Sequence, residues 1–310
     1  MTKINYGGQA VIDGVMMRGL ARATVAVRLP DNSITTFHEA LNQTRRTRLE
    51  SIPLVRGVLL LWDTLNLGIR ALNVAAAAGL PADERPSDGE SAGGVALSLL
   101  FAFGLFFALP LLLANGLTFL GISNLLVIVI ENVFQLVIFI AYLLLIGRIP
   151  DIQRVYGYHG AEHKAINAYE AGLPLDVAHV RQQTLIHPRC GTSFLLVVVV
   201  LSIPIFAIFA DLSLLPKIIS RLVLIPVIAG ISFELLRLTA ANYHRTWVRW
   251  LVAPSLALQH LTTREPDDSM LEVAIAALLP VLAADNALPT SYDSSLGMGI
   301  DAPTSGFVVS

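Results

Sequence analysis

The sequence predicts a mainly α fold: a polytopic α-helical membrane protein with about four transmembrane helices and a small N-terminal β-rich element. Three observations carry that prediction. Of the 310 residues, 55% are hydrophobic and 14% charged, against about 25% charged in ordinary soluble domains. Between Ser91 and Gly147 the one charged residue is Glu131, over a stretch far longer than the roughly 20 residues a single span needs. A second apolar stretch covers residues 192–238, after a polar segment.

Residues 1–52 read as the β-rich element. Ala23 to Leu29 is rich in small and β-branched residues, Pro30-Asp31-Asn32 is a turn signal, and Ser33 to Phe37 is strand-like. The glycines of Gly7-Gly-Gln-Ala-Val-Ile-Asp-Gly-Val-Met-Met-Arg-Gly19 do not match a phosphate-binding loop and read as tight turns between short strands. The region holds Arg18, Arg22, Arg28, Arg45, Arg46 and Arg48 and no apolar signal segment.

Residues 53–94 read as a helix and a linker. Arg56, Asp63, Asn66, Arg70 and Asn73 make one polar stripe on an otherwise apolar helix over 53–79. Such a helix lies on a membrane surface or turns its stripe toward protein. Residues 81–94 have linker composition. Spans are expected near 95–114 and 124–147, then, after the polar loop 148–191, near 192–210 and 218–238. Residues 239–283 form a cytoplasmic segment with interface tryptophans Trp247 and Trp250 and an amphipathic helix from Ser269 to Leu282. The tail from Ala287 is rich in Ser, Gly and Pro and reads as disordered.

The basic residues orient this chain. Of 21 Lys and Arg, 10 precede the first span, 5 lie in 148–190, 2 in 211–221 and 4 from Arg237 onward, and the turn at 115–124 has none. The positive-inside rule then places both termini and the central loop in the cytoplasm, with the protein in the cell (inner) membrane. The expected partner is the lipid bilayer. A net charge of −2 gives no basic surface for nucleic acid. A single cysteine, Cys190, cannot form an internal disulfide.

The candidate chemistry lies in residues 148–192, which hold four of the seven histidines and the cysteine. Gly172 and Pro174 are helix stop signals, so 152–171 is expected to be helical. His159, His163, Ile166 and Glu170 then fall on one stripe, flanked by Glu162 and Asn167. His159-x-x-Glu162-His163 is an H-x-x-E-H pattern. Two imidazoles one turn apart can grip a divalent metal, zinc above all, and the adjacent carboxylate can serve as base to a metal-bound water. Glu162 is therefore the candidate catalytic residue, with His159, His163, His187 and Cys190 as candidate metal ligands. Four protein ligands would make a closed structural site, and three would leave a position open for catalysis. Glu170 and Asn167 are candidates for a further ligand or a supporting contact. His179 and Lys164 read as ordinary solvated residues.

Two acids lie inside the spans. Glu131 is an intramembrane ionisable group and so a functional candidate, unless Asn132, Gln135 or the stripe of helix 53–79 pairs it. Glu234 either pairs with Arg237 or approaches the metal site from below.

The stretches Gly7–Gly19, Tyr158-His-Gly-Ala-Glu-His-Lys164, His187-Pro-Arg-Cys-Gly-Thr-Ser193, Ala229–Arg237 and Leu261-Thr-Thr-Arg-Glu-Pro-Asp-Asp268 resemble the YqhQ-like family of bacterial membrane proteins, domain of unknown function 1385. The resemblance runs to about residue 283. Asp13 stands where the family pattern has glutamate, which keeps the charge. The resemblance implies a metal-dependent enzyme of undefined substrate. It also implies that Thr263, Arg264, Glu265 and Asp267 approach the central loop, or that the segment is a helix-capping turn. Three functions compete: a membrane-bound metallohydrolase, a scaffold or assembly factor with a structural metal, and a transporter.

Overall fold

The computed structural model describes residues 6–41, 52, 55–81, 83–289 and 307. The arginines at 45, 46 and 48 and most of the tail expected to be disordered lie outside the described residues. The N-terminal element is a four-stranded antiparallel meander in the order β1-β2-β3-β4: Gly7–Val11, Gly14–Arg18, Arg22–Arg28 and Ile34–Ala40. The expected strands at 23–29 and 33–37 are β3 and β4, and the glycine-rich motif is the hairpin β1–β2. Its two-residue turn puts Asp13 at φ 50°, a left-handed conformation that Asp tolerates better than most side chains. Because strand side chains alternate, Val15 and Met17 face one layer of core while Met16, Val25 and Val27 face another.

Both faces of the sheet are covered. Helix α1 (Val55–Ala78) lays Leu67, Ala71 and Ala75 against one face. Two members of its stripe turn toward protein: Arg70 pairs with Glu39 at 2.7 Å, and Arg56 makes two bonds to Glu234, of 3.0 and 2.6 Å, while Asp63, Asn66 and Asn73 are exposed. Glu234 is thus bonded directly by Arg56, while Arg237, its expected partner, acts on it only as a nearby charge. Only a long-range contact could decide this, since Arg56 is 178 residues away. The other face carries the C-terminal helix, the one expected to be amphipathic from Ser269 to Leu282, which is far more buried than an amphipathic pattern implies. Leu271 and every residue from Val273 to Leu282 are buried, because this helix is the central rod between the sheet and the central-loop helix.

Beyond α1, the next apolar helix starts earlier than expected, inside the stretch read as linker. A capping box between Ser87 and Glu90 opens α2 (Asp88–Phe103). The helix passes through a π turn at Gly104–Ala108 into α3 (Leu109–Asn115) and a 3₁₀ turn ending at Leu120. The wider turn precedes Pro110, whose ring and missing N–H disturb a regular ladder. Then come α4 (Asn124–Ile146), α5 (Pro150–Glu170), α6 (Val177–Arg181), α7 (Gly191–Ala207), α8 (Leu214–Ala241), α9 (Thr246–Thr262) and α10 (Asp268–Ala284), the central rod.

Among the described residues, four helices are long and apolar enough to cross a membrane: Val55–Ala78, Gly89–Leu120, Asn124–Ile146 and Leu214–Ala241. This set differs from the expected one. The span expected at 192–210 is a helix of 17 residues, about 26 Å long and short of the roughly 30 Å hydrocarbon core. Helix α1 qualifies by length and composition, but its second half is packed on the sheet. Helices α4, α7 and α8 share a core of Ile128, Val198, Phe206 and Ile228. Within it Glu131 accepts two bonds from Arg221, at 3.0 and 2.7 Å, and the guanidinium sits 4.1 Å from the Phe206 ring centre. The partner of Glu131 is therefore a cation on α8, and neither Asn132 nor Gln135. Asn132 instead bonds Ser202 and the carbonyl of Ile128.

Candidate metal centre

Helix α5 begins on Pro150, whose fixed φ suits the first helical position. It ends in a Schellman motif: Gly172, at φ 70°, donates to the carbonyl of Tyr169 and Leu173 to that of Ala168. Although α5 is polar by composition, 11 of its 21 residues are buried, because small residues let neighbours close in. A Cβ on Gly160 would stand 2.2 Å from the carbonyl oxygen of Arg264. That close approach brings the end of α9 onto the histidine stripe.

His159, His163 and Cys190 come together there, their ligand atoms all within 4.8 Å of one another. The two rings are 4.4 Å apart. His159 Nδ1 lies 2.9 Å from the carbonyl oxygen of Thr262, and His163 Nδ1 is bonded to that of Leu185. A carbonyl only accepts, so each Nδ1 carries a proton, and in the neutral ring this leaves the lone pair on Nε2. Metal-binding histidines are typically fixed in this way. Cys190 caps the N-terminus of α7, with Sγ 3.3 Å from His159 Nε2. Two imidazole nitrogens and a buried thiol suit zinc.

The loop that carries Cys190 is tied down by side chains. Asn167 donates to the carbonyls of Thr184 and Ile186, at 2.9 and 3.2 Å. Gln259 accepts from the His187 amide and donates to its carbonyl, at 3.0 and 2.9 Å. Asn167 thus straps the loop.

His187 lies outside the group of three. Its ring centre is 5.7 Å from that of His163, and its Nε2 faces Arg189 at 3.3 Å and Glu170 at 3.8 Å. Burial holds the His187 imidazole below its ordinary pKa, against the pull of Glu170. For Glu170 burial works upward, but His187 and Arg189 outweigh it and bring the carboxyl down to about 2. Glu170 is therefore an anion anchoring Arg189.

Glu162 is also outside the group. It is buried against β1, where the Gly8 amide donates to it, and a Cβ on Gly8 would stand 2.9 Å from its Cγ. Burial raises its pKa to about 7, with His159 and the Gly8 amide only partly opposing. Between its unfolded value of 4.5 and about 7, the unfolded chain has lost this proton while the folded chain keeps it. Raising pH through that window therefore favours the unfolded state, and above it the loss is complete. Chelator-treated protein should lose stability over this range, by at most about 3 kcal/mol, relative to Glu162→Gln. Parallel pH profiles of the two proteins in thermal melts would show that Glu162 is not the buried acid responsible.

Residues 52–284 match the family model described as a protein of unknown function, DUF1385. The chain belongs to this DUF1385 family. The chain is also 35% identical to the uncharacterized protein YqhQ of Bacillus subtilis, over 92% of its own length and 96% of the relative's. No solved structure matches. In this DUF1385 member the matched residues hold His159, His163 and Cys190, while Gly8, which supports Glu162, precedes them.

Several contacts escaped the sequence. Lys164, expected to be solvated, is buried with its ammonium on the Arg181 carbonyl and on Glu265, both at 2.6 Å. Glu265 and Thr262 lie in or beside the Thr263–Asp267 segment, which does approach the loop. Arg264 donates its amide to the Tyr156 carbonyl, Thr263 bonds back to Gln259, and Asp267 caps α10. Gln259 had no signal at all. His179 is exposed and bonded to Asp176, as a solvated residue should be.

Proposed function

We propose that this DUF1385 protein is a membrane-anchored metallohydrolase of zinc type, with its site on the cytoplasmic face. The observation that carries the reading is the His159, His163 and Cys190 group with both imidazoles locked to present Nε2. His159, His163 and Cys190 would hold the metal, and His187, engaged by Arg189 and Glu170, would not. A divalent metal held by three protein ligands supplies an electrophile and lowers the pKa of a bound water. Glu162, adjacent to His163 and titrating near neutrality, has the proton affinity of a general acid–base group. The four candidate spans and the basic residues of the loop support a cytoplasmic site in the cell membrane.

The second reading is a scaffold with a structural metal. It draws on His187, buried within reach of His163, as a fourth ligand. The transporter reading loses its main support, since Glu131 is neutralised by Arg221.

The test combines metal analysis with hydrolysis of a panel of chromogenic esters, phosphodiesters and peptides. Glu162→Gln should retain the metal and lose about 100-fold or more in rate. Unchanged hydrolysis in Glu162→Gln would remove Glu162 from the chemistry. X-ray absorption showing four protein ligands would favour the scaffold.

A further inference from the structure

The level of the centre along the apolar helices is legible from the packing. Cys190 is the residue before α7, and Gly191–Ala207 contains no charged side chain. Leu196 lies about 9 Å along the helix from Cys190. It packs against the cluster of Phe139, Leu143 and Leu258, which Ile146 at the very end of α4 also borders. Leu261, next to the Thr262 carbonyl that holds His159, joins the same cluster. Helix α4 ends at Ile146 as α7 begins at Gly191. The His159, His163 and Cys190 group is therefore flush with the end of an apolar span and does not stand out in a soluble domain.

A second observation points the same way. His159 is the one partly exposed member of the group, the other two being buried. On its stripe of α5, three to four residues apart, lie Val155 and Ile152, both partly exposed, and then Ile149 ahead of the helix. Ile149 is 48% exposed, and Leu144 and Leu145 at the end of α4 are exposed too. On the other side Leu195, about 7.5 Å along α7 from Cys190, is exposed as well. An apolar track thus runs from the lipid-facing end of α4 to the open side of His159. A water-soluble substrate has no use for such a track, whereas an acyl or isoprenoid chain would bury apolar surface along it.

We propose that the substrate of this centre is an amphiphile carried by the bilayer, with its reacting group at headgroup level and its apolar part along Ile149, Ile152 and Val155. This rests on the metallohydrolase reading for the word substrate, and on the apolar helices for the bilayer.

Photo-crosslinking tests the placement without any activity. Benzoylphenylalanine is placed at Leu195, Ile152, Leu145 or Asp176 in the full chain, in phosphatidylglycerol nanodiscs, and lipid adducts are read by mass spectrometry. Leu195, Ile152 and Leu145 should give adducts, and exposed Asp176, on the loop before α6, should not. Adducts at Leu145 alone would overturn the placement while leaving the metal reading intact. Absence of adducts at Leu145 as well would overturn it by removing the bilayer. The substrate class is tested with one ester carried on a long or a short acyl chain, each assayed with Ile152→Lys. At least a tenfold preference for the long chain in the wild type, lost in Ile152→Lys, is the expected result. Equal rates on both chains in the wild type would overturn the proposal, whereas no metal-dependent hydrolysis of either would count against the metallohydrolase reading itself.

Discussion

On the proposed zinc reading, replacing His163 with alanine is expected to lower metal content at least about tenfold, and Cys190→Ser should do the same. His187→Ala should leave the metal content near that of the wild type. The contrast follows from how each side chain is engaged. His163 is almost fully buried, its Nδ1 is spent on the Leu185 carbonyl, and its Nε2 faces the His159 and Cys190 donors. His187 points its Nε2 at Arg189 and Glu170, and its backbone is held by Gln259. Removing the His187 ring therefore costs packing beside Glu170 and takes no donor from the group of three. Elemental analysis of the purified proteins reads the result directly. Metal retained in His163→Ala, or lost equally in His187→Ala, would show that the ligand set is different.

Arg221→Ala should be among the most destabilising single substitutions in the chain, by about 3–5 kcal/mol. Its side chain is 1% exposed and that of Glu131 5%, so truncating either leaves an uncompensated charge among α4, α7 and α8. In a hydrocarbon setting no water reaches that charge to replace the lost partner. Arg221 also covers the face of Phe206, a cation–π contact that is lost with it. The double variant Glu131→Leu/Arg221→Leu removes both charges and should recover most of the loss, since a buried pair and apolar residues of similar volume are often close in stability. Unfolding of the four proteins in mixed micelles measures this cycle. A single variant within about 1 kcal/mol of wild type would mean that the pair is wet and inexpensive to break.

The histidine pair and Cys190 were visible early because their evidence is local. A helix fixes the angle between residues four apart, so His159 and His163 had to share a face once α5 was recognised as helical. Cys190 was visible as a neighbour by its place in the same polar loop. Glu131 stood out by being alone in an apolar run. What stood hidden depended on contacts between distant segments. Lys164 reads as solvated until α6 and the Glu265 segment close over it. Helix α10 reads as amphipathic from its acidic first turn, and only the sheet and α5 together bury Leu271 and Val273 to Leu282. The partner of Glu131 is 90 residues away on α8, and that of Glu234 lies on α1.

By itself the sequence determined the helical and apolar character of the chain, the strands before residue 41, and the two histidines that could face one ligand. These follow from side-chain periodicity and hydropathy, which act over a few residues. Only the tertiary structure decided which donors converge, because convergence depends on carbonyls and amides that carry no sequence signal. The Thr262 and Leu185 carbonyls set the histidine tautomers, Gln259 holds the loop, and Gly8 matters for the side chain it lacks. The same long-range packing sets His187 apart from the group of three and places Cys190 level with the end of α4.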